Sequence, residues 1–452
     1  MVWSFSNMLL LVICVSFAAS IQGSSSFYGK LIFGSKTPYF WERDANQTIG
    51  VDSGMTITHN GKTCTAFYVD ALLRHGARYP TSKYIANMNS LVPKLRNLPR
   101  AAQHPFLNTW VNRFPLDLNG QLSFLGRQEQ YSLGKRFLSR FHSLLHPASD
   151  RFKYYASYKK RTQDSSNYFQ QGVTGRQMTD DFSNDTQPTI NNIMLRFYSN
   201  CHEYSISVLN NHSAIAEYFK FQRGPEFTAM MKAVSDRVTA GHFNLTFSEL
   251  MTVHQYCTVE LGMFKSSDWC SFFTEEDIEV IDYEHDLYNY WLKSYGHAIN
   301  SEITCPMFVD VFGNIDKAIQ ADREGQSYTV GTFRFGHAET LLPIYSALSL
   351  FHDSTPLLAS NYNAHRNRTY RTSKIAPFSG NIYPVLYKCG DELGDIYLKM
   401  FVNEVETPLP ACGLKLCPYY LLKSEYSDAI NNCRFDVLCH NIHSTMPSAV
   451  VG

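Results

Sequence analysis

The sequence predicts an α/β protein, with a mostly parallel central sheet flanked by helices and an inserted α-helical cap. Three observations carry that expectation. Three separate apolar runs each end in a short turn and pass directly into a helical pattern, the strand-turn-helix unit of an α/β sheet. Each of the three turns holds histidine or arginine. Between about residues 205 and 300 the apolar spacing becomes that of helices alone.

The elements follow in order. Met8 to Ala19 is almost wholly apolar and runs into Ala18-Ala19-Ser20, so residues 1–20 read as a secretory signal. The run is short for a membrane span. The α/β core is expected over 24–204 and 301–452, with the cap over 205–300. Thr65 to Leu73 (TAFYVDALL) reads as a buried parallel strand ending at Arg74-His75-Gly76, and Pro80-Thr81 opens a helix. Residues 90–125 read as a smaller excursion. Phe152 to Ser157 is the second strand, Tyr158 to Thr162 its turn, and Gln163 to Gln171 its helix, with Gly172 as C-cap. Asp181 to Pro188 reads as a loop.

Within the cap, Thr246-Phe247-Ser248-Glu249 is a capping box, after which Leu250, Val253, Cys257 and Leu261 share a face. A second cap helix starts near Thr274 and carries Ile278, Ile281 and Trp291. The third strand, Tyr328 to Phe335 (YTVGTFRF), leads through Gly336-His337-Ala338-Glu339-Thr340 into a helix from Glu339 to Phe351 with Pro343 in its first turn.

Composition bounds the function. The 452 residues include 40 Lys plus Arg and 40 Asp plus Glu, a balance that excludes a general nucleic-acid binder. With 44% hydrophobic and 18% charged residues, the chain has ample material for a packed core. Of 11 cysteines, Cys14 lies in the signal. The remaining even number reads as disulfides in an oxidising compartment. The spacing leaves connectivity open; Cys412 with Cys417, and Cys433 with Cys439, are close enough for local bridges. Asn46, Asn184, Asn211, Asn244 and Asn367 head N-x-S/T sequons and are expected to be glycosylated. The stretch Ser444 to Gly452 has no long apolar tail and no KDEL-type signal. A secreted or endomembrane-luminal protein without a stable membrane span is expected, of open oligomeric state.

The chemistry gathers at Arg74-His75-Gly76-Ala77-Arg78-Tyr79-Pro80. Histidine is a neutral nucleophile near physiological pH, and arginine grips phosphate with two parallel hydrogen bonds. The strings RHGARYP, KRTQDSSNYFQQG and FGHAETLLP together resemble the histidine acid phosphatase family. The His-Ala-Glu form of the third is similar to its multiple inositol polyphosphate phosphatase branch. That resemblance implies that His75 attacks phosphorus and forms a phosphohistidine. It implies that Arg74, Arg78, Arg161 and His337 hold the phosphate and that Glu339 protonates the leaving alcohol. Lys159 and Lys160 are candidate contacts to further phosphates, although a solvated basic turn explains them as well. Glu339 also suits the first turn of a helix, and His337 its cap. Arg334 receives no role.

The arginines supply the charge that other phosphatases take from a metal, and no HExxH-type spacing is present, so no metal or cofactor is expected. The expected substrate is a small phosphorylated molecule, an inositol polyphosphate such as phytate. A broad acid phosphatase, a 2,3-bisphosphoglycerate phosphatase and a non-catalytic anion-binding protein are the alternatives.

Overall fold

Thirteen residues, Lys62–Arg74, form the strand beside which the functional turns assemble. The computed structural model describes residues 33–41, 49–390, 392 and 395–440. The expected signal segment, Cys14, the Asn46 sequon and Ser444 to Gly452 lie outside the described residues.

In chain order the strands are β1 (Thr56–His59), β2 (Lys62–Arg74), β3 (Phe152–Ala156), β4 (Thr189–Ile190), β5 (Gly331–Gly336), β6 (Asn381–Lys388), β7 (Ile396–Val402), β8 (Val405–Glu406) and β9 (Cys417–Pro418). The principal helices are α1 (Ser82–Arg96), α2 (Phe124–Arg140), α3 (Lys160–Val173), α4 (Ala216–Gln222), α5 (Pro225–Thr239), α6 (Phe247–Phe264), α7 (Glu275–Lys293), α8 (Cys305–Arg323) and α9 (Ala338–Ala347). The sheet runs β4-β3-β5-β2-β6-β7-β8, with β1 on β2 and β9 on β7. Strands β4, β3, β5 and β2 pair in parallel. Beyond β2 the sheet continues antiparallel through β6 and β7.

Both sheet faces are covered, which is why β2 and β5 read as continuous apolar runs. On one face α2 and α3 pack Leu133, Phe137, Phe169 and Val173 against Val69, Leu73, Phe333 and Phe335. The two helices approach closely at Gly134 and Gly172. A Cβ on Gly172 would lie 2.1 Å from the Tyr131 carbonyl oxygen, and one on Gly134 would lie 2.3 Å from that of Phe169. Gly172 therefore serves a helix crossing; α3 runs on through it to Val173, and Thr174 is the C-cap. On the other face α6, α7 and α8 bury Tyr256, Leu287 and Phe312 in one apolar cluster with Tyr68, Leu72 and Ile382 of the sheet.

The helices expected after Thr246 and near Thr274 form. Thr246 and Thr274 each close a capping box, with Glu249 and Asp277 respectively. Helix α9 spans Ala338–Ala347, so Pro343 sits inside it, beyond its first turn. Five disulfides join Cys64–Cys389, Cys201–Cys439, Cys257–Cys270, Cys305–Cys433 and Cys412–Cys417. The local 412–417 bridge is present. A local 433–439 bridge is not, because those two cysteines instead anchor the C-terminal segment to Cys305 and Cys201. Asn184, Asn211, Asn244 and Asn367 are all exposed. Among the described residues, no helix is long and apolar enough to cross a membrane.

Candidate active site

Strand order brings the three motifs together. β5 lies between β3 and β2, with Arg74 level with Gly336 and Ala156 level with Phe335. Arg74-His75, His337 and the start of α3 therefore emerge side by side at the carboxyl ends of parallel strands. Open α/β sheets bind ligands at this edge. The N-termini of α3 and α9 both begin here, adding their partial positive charge.

The loop after β2 is held by its backbone. His75 N donates to the Gly336 carbonyl at 3.1 Å, and Arg74 N to that of Gly380 at 2.8 Å. The fully buried Glu129 of α2 accepts from Ala77 N at 2.8 Å and from Tyr39 N at 2.8 Å. Its neighbour Gln130 donates to the Arg74 carbonyl at 2.8 Å. Gly76 permits this seating, since a Cβ there would lie 2.4 Å from the Gly126 carbonyl oxygen.

His75 Nδ1 lies 2.8 Å from the Gly76 carbonyl, which can only accept. Nδ1 therefore carries the hydrogen and Nε2 presents its lone pair. Burial, then Arg161, Arg74 and His337, holds the imidazole well below its ordinary value, so it is neutral. That combination is what a nitrogen nucleophile requires.

The cations are fixed as firmly. Arg74 Nη1 donates to the carbonyls of Ser35 and, at 2.7 Å, of Ala376, and its guanidinium lies 4.5 Å from the centre of the Phe378 ring. Its Nε, and that of Arg161, are buried with no acceptor among the described residues. Burial first, with neighbouring cations, lowers Arg74 to about 9 and Arg78 to about 10, leaving both charged at neutral pH. Arg161 Nη2 faces His337 Nδ1 at 3.4 Å, and His337 Nε2 lies 2.9 Å from Ser157 Oγ. His337 stands beside His75, ring centres 5.4 Å apart, but both its nitrogens face protein partners.

Glu339 opens into the cavity with 39% of its side chain exposed, and Oε1 lies 3.1 Å from Lys293 Nζ. Burial works to raise its carboxyl. Lys293, His337, its own backbone amide and Arg74 outweigh burial and hold it well below the usual carboxylate range.

These groups face a cavity of about 450 Å³. Six of its lining side chains are Lys or Arg, namely Lys36, Arg74, Arg78, Lys83, Arg161 and Lys293; two are Glu, Glu284 and Glu339. A chain of zero formal net charge thus concentrates cations at one place. The rest of the lining, its helix-built half, comes from α1, α4, α6, α7 and the segment 33–41, with Tyr218, Met251, His285 and Asn289 among its walls. Lys36, Lys83, Lys293 and Glu284 escaped the sequence reading, because they come from three distant stretches without a shared motif.

Lys159 and Lys160 are not among the cavity's lining. Lys160 turns to Asp164, one helical turn on, and Lys159 Nζ lies 4.4 Å from the centre of the Tyr158 ring. Arg334 is structural. It is fully buried and paired with Asp70 and Asp310. Among the described residues no group of His, Cys, Asp and Glu could hold a metal ion.

A neutral imidazole nitrogen among guanidiniums at the strand ends of an α/β sheet defines a site suited to taking a phosphoryl group onto histidine. The chain belongs to the histidine phosphatase superfamily. Residues 68–403 match the histidine phosphatase superfamily, branch 2. Among its relatives is a protein named multiple inositol polyphosphate phosphatase 1 from Gallus gallus, 30% identical over 382 residues, covering 83% of this chain and 84% of the relative. The protein of the same name from Homo sapiens is 31% identical over 404 residues, covering 83% and 82%. The crystal structure of the Bifidobacterium longum multiple inositol polyphosphate phosphatase in complex with inositol hexasulfate superposes with a TM-score of 0.67 at 17% identity, covering 89% of this chain and 98% of that one. That last likeness is one of fold.

Proposed function

We propose that the protein is a phosphomonoesterase that hydrolyses inositol polyphosphates, phytate included, through a phosphohistidine on His75. The observation that carries the reading is the seating of a neutral His75 Nε2 among Arg74, Arg78 and Arg161, in a cation-rich cavity of about 450 Å³. That space exceeds the needs of a single phosphate and suits a ring bearing several. The names of the Gallus gallus and Homo sapiens relatives support the same substrate class.

In this reading Nε2 attacks phosphorus as the bond to the leaving oxygen breaks. The three arginines stabilise the charge spread over the equatorial oxygens. Glu339 delivers a proton to the departing alkoxide. Water then attacks the phosphohistidine, Glu339 takes its proton, the N–P bond breaks and phosphate leaves. Lys293, His337 and Arg74 keep the Glu339 carboxyl ionised in the free cavity. A bound phosphate brings negative charge beside Lys293 and Arg74, which raises the carboxyl toward the acid form the first step uses. His337 acts by orienting Arg161. Helices from the 205–300 stretch serve as the cap over the substrate, and the five disulfides support an oxidising, secreted or luminal location with glycans on the exposed sequons.

Phosphate release from phytate by the purified protein, across about pH 3 to 8, tests the reading. Release with a catalytic efficiency above that for simple phosphomonoesters is expected. Efficient cleavage of simple esters alone would make it a broad acid phosphatase, and silence on every ester would leave an anion-binding protein.

A further inference from the structure

Helix α7 carries carboxylates on opposite faces with opposite fates. Asp282 and Asp286 point away from the cavity and are paired by Arg368 and Arg371. Glu284 stands in the cavity wall, only 1% exposed, and among the described residues no lysine or arginine pairs with it. Its Oε1 accepts from Gln222 Nε2 of α4 at 2.8 Å, and the Tyr218 hydroxyl of the same helix hydrogen-bonds to it. On its own helix His285 Nε2 lies 3.9 Å away. Burial, then Lys36 and Lys293, lowers His285 to about 3, so it offers no charge. Behind His285, His254 of α6 is likewise held neutral by burial first and then by its neighbours. Among the described residues, Lys36 from the segment 33–41 is the cation that acts on the carboxyl.

An acidic side chain thus sits unpaired in the wall of a cavity built for polyanions. We propose that Glu284 is a specificity-determining residue that sets how many phosphates the helix-built half of the cavity accepts, disfavouring a highly phosphorylated ring when ionised and admitting it when protonated. The inference rests on the inositol polyphosphate reading above. The position of the carboxyl supplies the mechanism. It need not touch the substrate, because a charge in a poorly hydrated wall acts across the cavity. Burial raises Glu284 to about 7 against the opposing effects of Gln222, Tyr218 and Lys36, so its charge changes within the working range of such an enzyme.

The test is the ratio of kcat/KM for phytate to kcat/KM for p-nitrophenyl phosphate, followed from about pH 6 to about pH 8 across the Glu284 transition. The phosphates of phytate gain charge over the same range, equally for every variant. In wild type the ratio is expected to fall about tenfold more than in Glu284→Gln, the effect of roughly one pK unit of coupling. Superimposed profiles would overturn the proposal while leaving the inositol polyphosphate reading intact. A wild type that releases no phosphate from phytate would overturn both. If Glu284→Gln does not fold, Tyr218→Phe carries the test. Losing a hydroxyl that favours the ionised carboxyl moves the fall to higher pH, and an unmoved profile would overturn the proposal.

Discussion

The cavity has two halves of different construction. The strand-end half is made from the backbone outward. His75, Arg74 and Arg161 leave adjacent strand ends or a helix's first turn, pinned by peptide hydrogen bonds and by the buried Glu129 and Gln130. The other half is made of side chains on helix faces: Glu284, His285, Asn289 and Lys293 from α7, with Tyr218 from α4. In the proposed reaction the first half holds the atoms that react. The second can change by substitution on a helix surface without disturbing the sheet, which is how one phosphoryl-transfer device accommodates different substrates.

The comparison breaks most cleanly at the nucleophile. His75→Ala is expected to lower phosphate release by about 10⁴-fold or more on phytate and p-nitrophenyl phosphate alike, since every substrate passes through it. Steady-state assay of both esters, with acid-quench detection of phosphoenzyme, checks this. Substantial residual turnover would move the nucleophile elsewhere. Next comes Glu339→Gln, expected to cost roughly 10²–10⁴-fold on alkyl phosphates and much less on p-nitrophenyl phosphate, whose leaving group needs little protonation. Equal losses on the two esters would remove Glu339 from the proton-donor role.

What the sequence disclosed follows the same division. The strand-end half was legible because its residues cluster within three short strings, each at the end of an apolar run; β2, β3 and β5 formed within a few residues of the expected places. The antiparallel strands β6 and β7 went unread because their apolar runs carry no motif, and β8 and β9 because they are only two residues long. Gly172 looked like a helix end because its role, contact with Gly134, depends on a helix distant in sequence. Arg334 stayed without a role because its partners Asp70 and Asp310 lie on different elements. The helix-built half was invisible for the same reason: its residues are spread from Lys36 to Lys293 and meet only after folding. Lys159 and Lys160, adjacent to Arg161 in sequence, read equally well as substrate contacts or as a solvated basic turn; they are not among the cavity's lining, because neighbouring residues at a helix start point in different directions.

Lys293 joins the two halves and makes the finest test. It is the last residue of α7, and its Nζ lies 3.1 Å from Glu339 Oε1 at the start of α9. Lys293→Met removes the foremost of the cations that hold the Glu339 carboxyl down. The carboxyl then rises toward its ordinary value, and its acid form persists to higher pH. Where the proton donor limits the rate, the alkaline limb of kcat for an alkyl phosphate is expected to move upward by about one pH unit, less than a buried pair would give because Glu339 is open to solvent. For p-nitrophenyl phosphate, which makes little use of the donor, the limb should move much less. A pH profile of kcat on both esters decides it. An unmoved alkyl-phosphate limb would mean that the helix-built half selects the substrate without tuning the acid; a shift confined to that ester would show that the cap side reaches into the chemical step through a single ion pair.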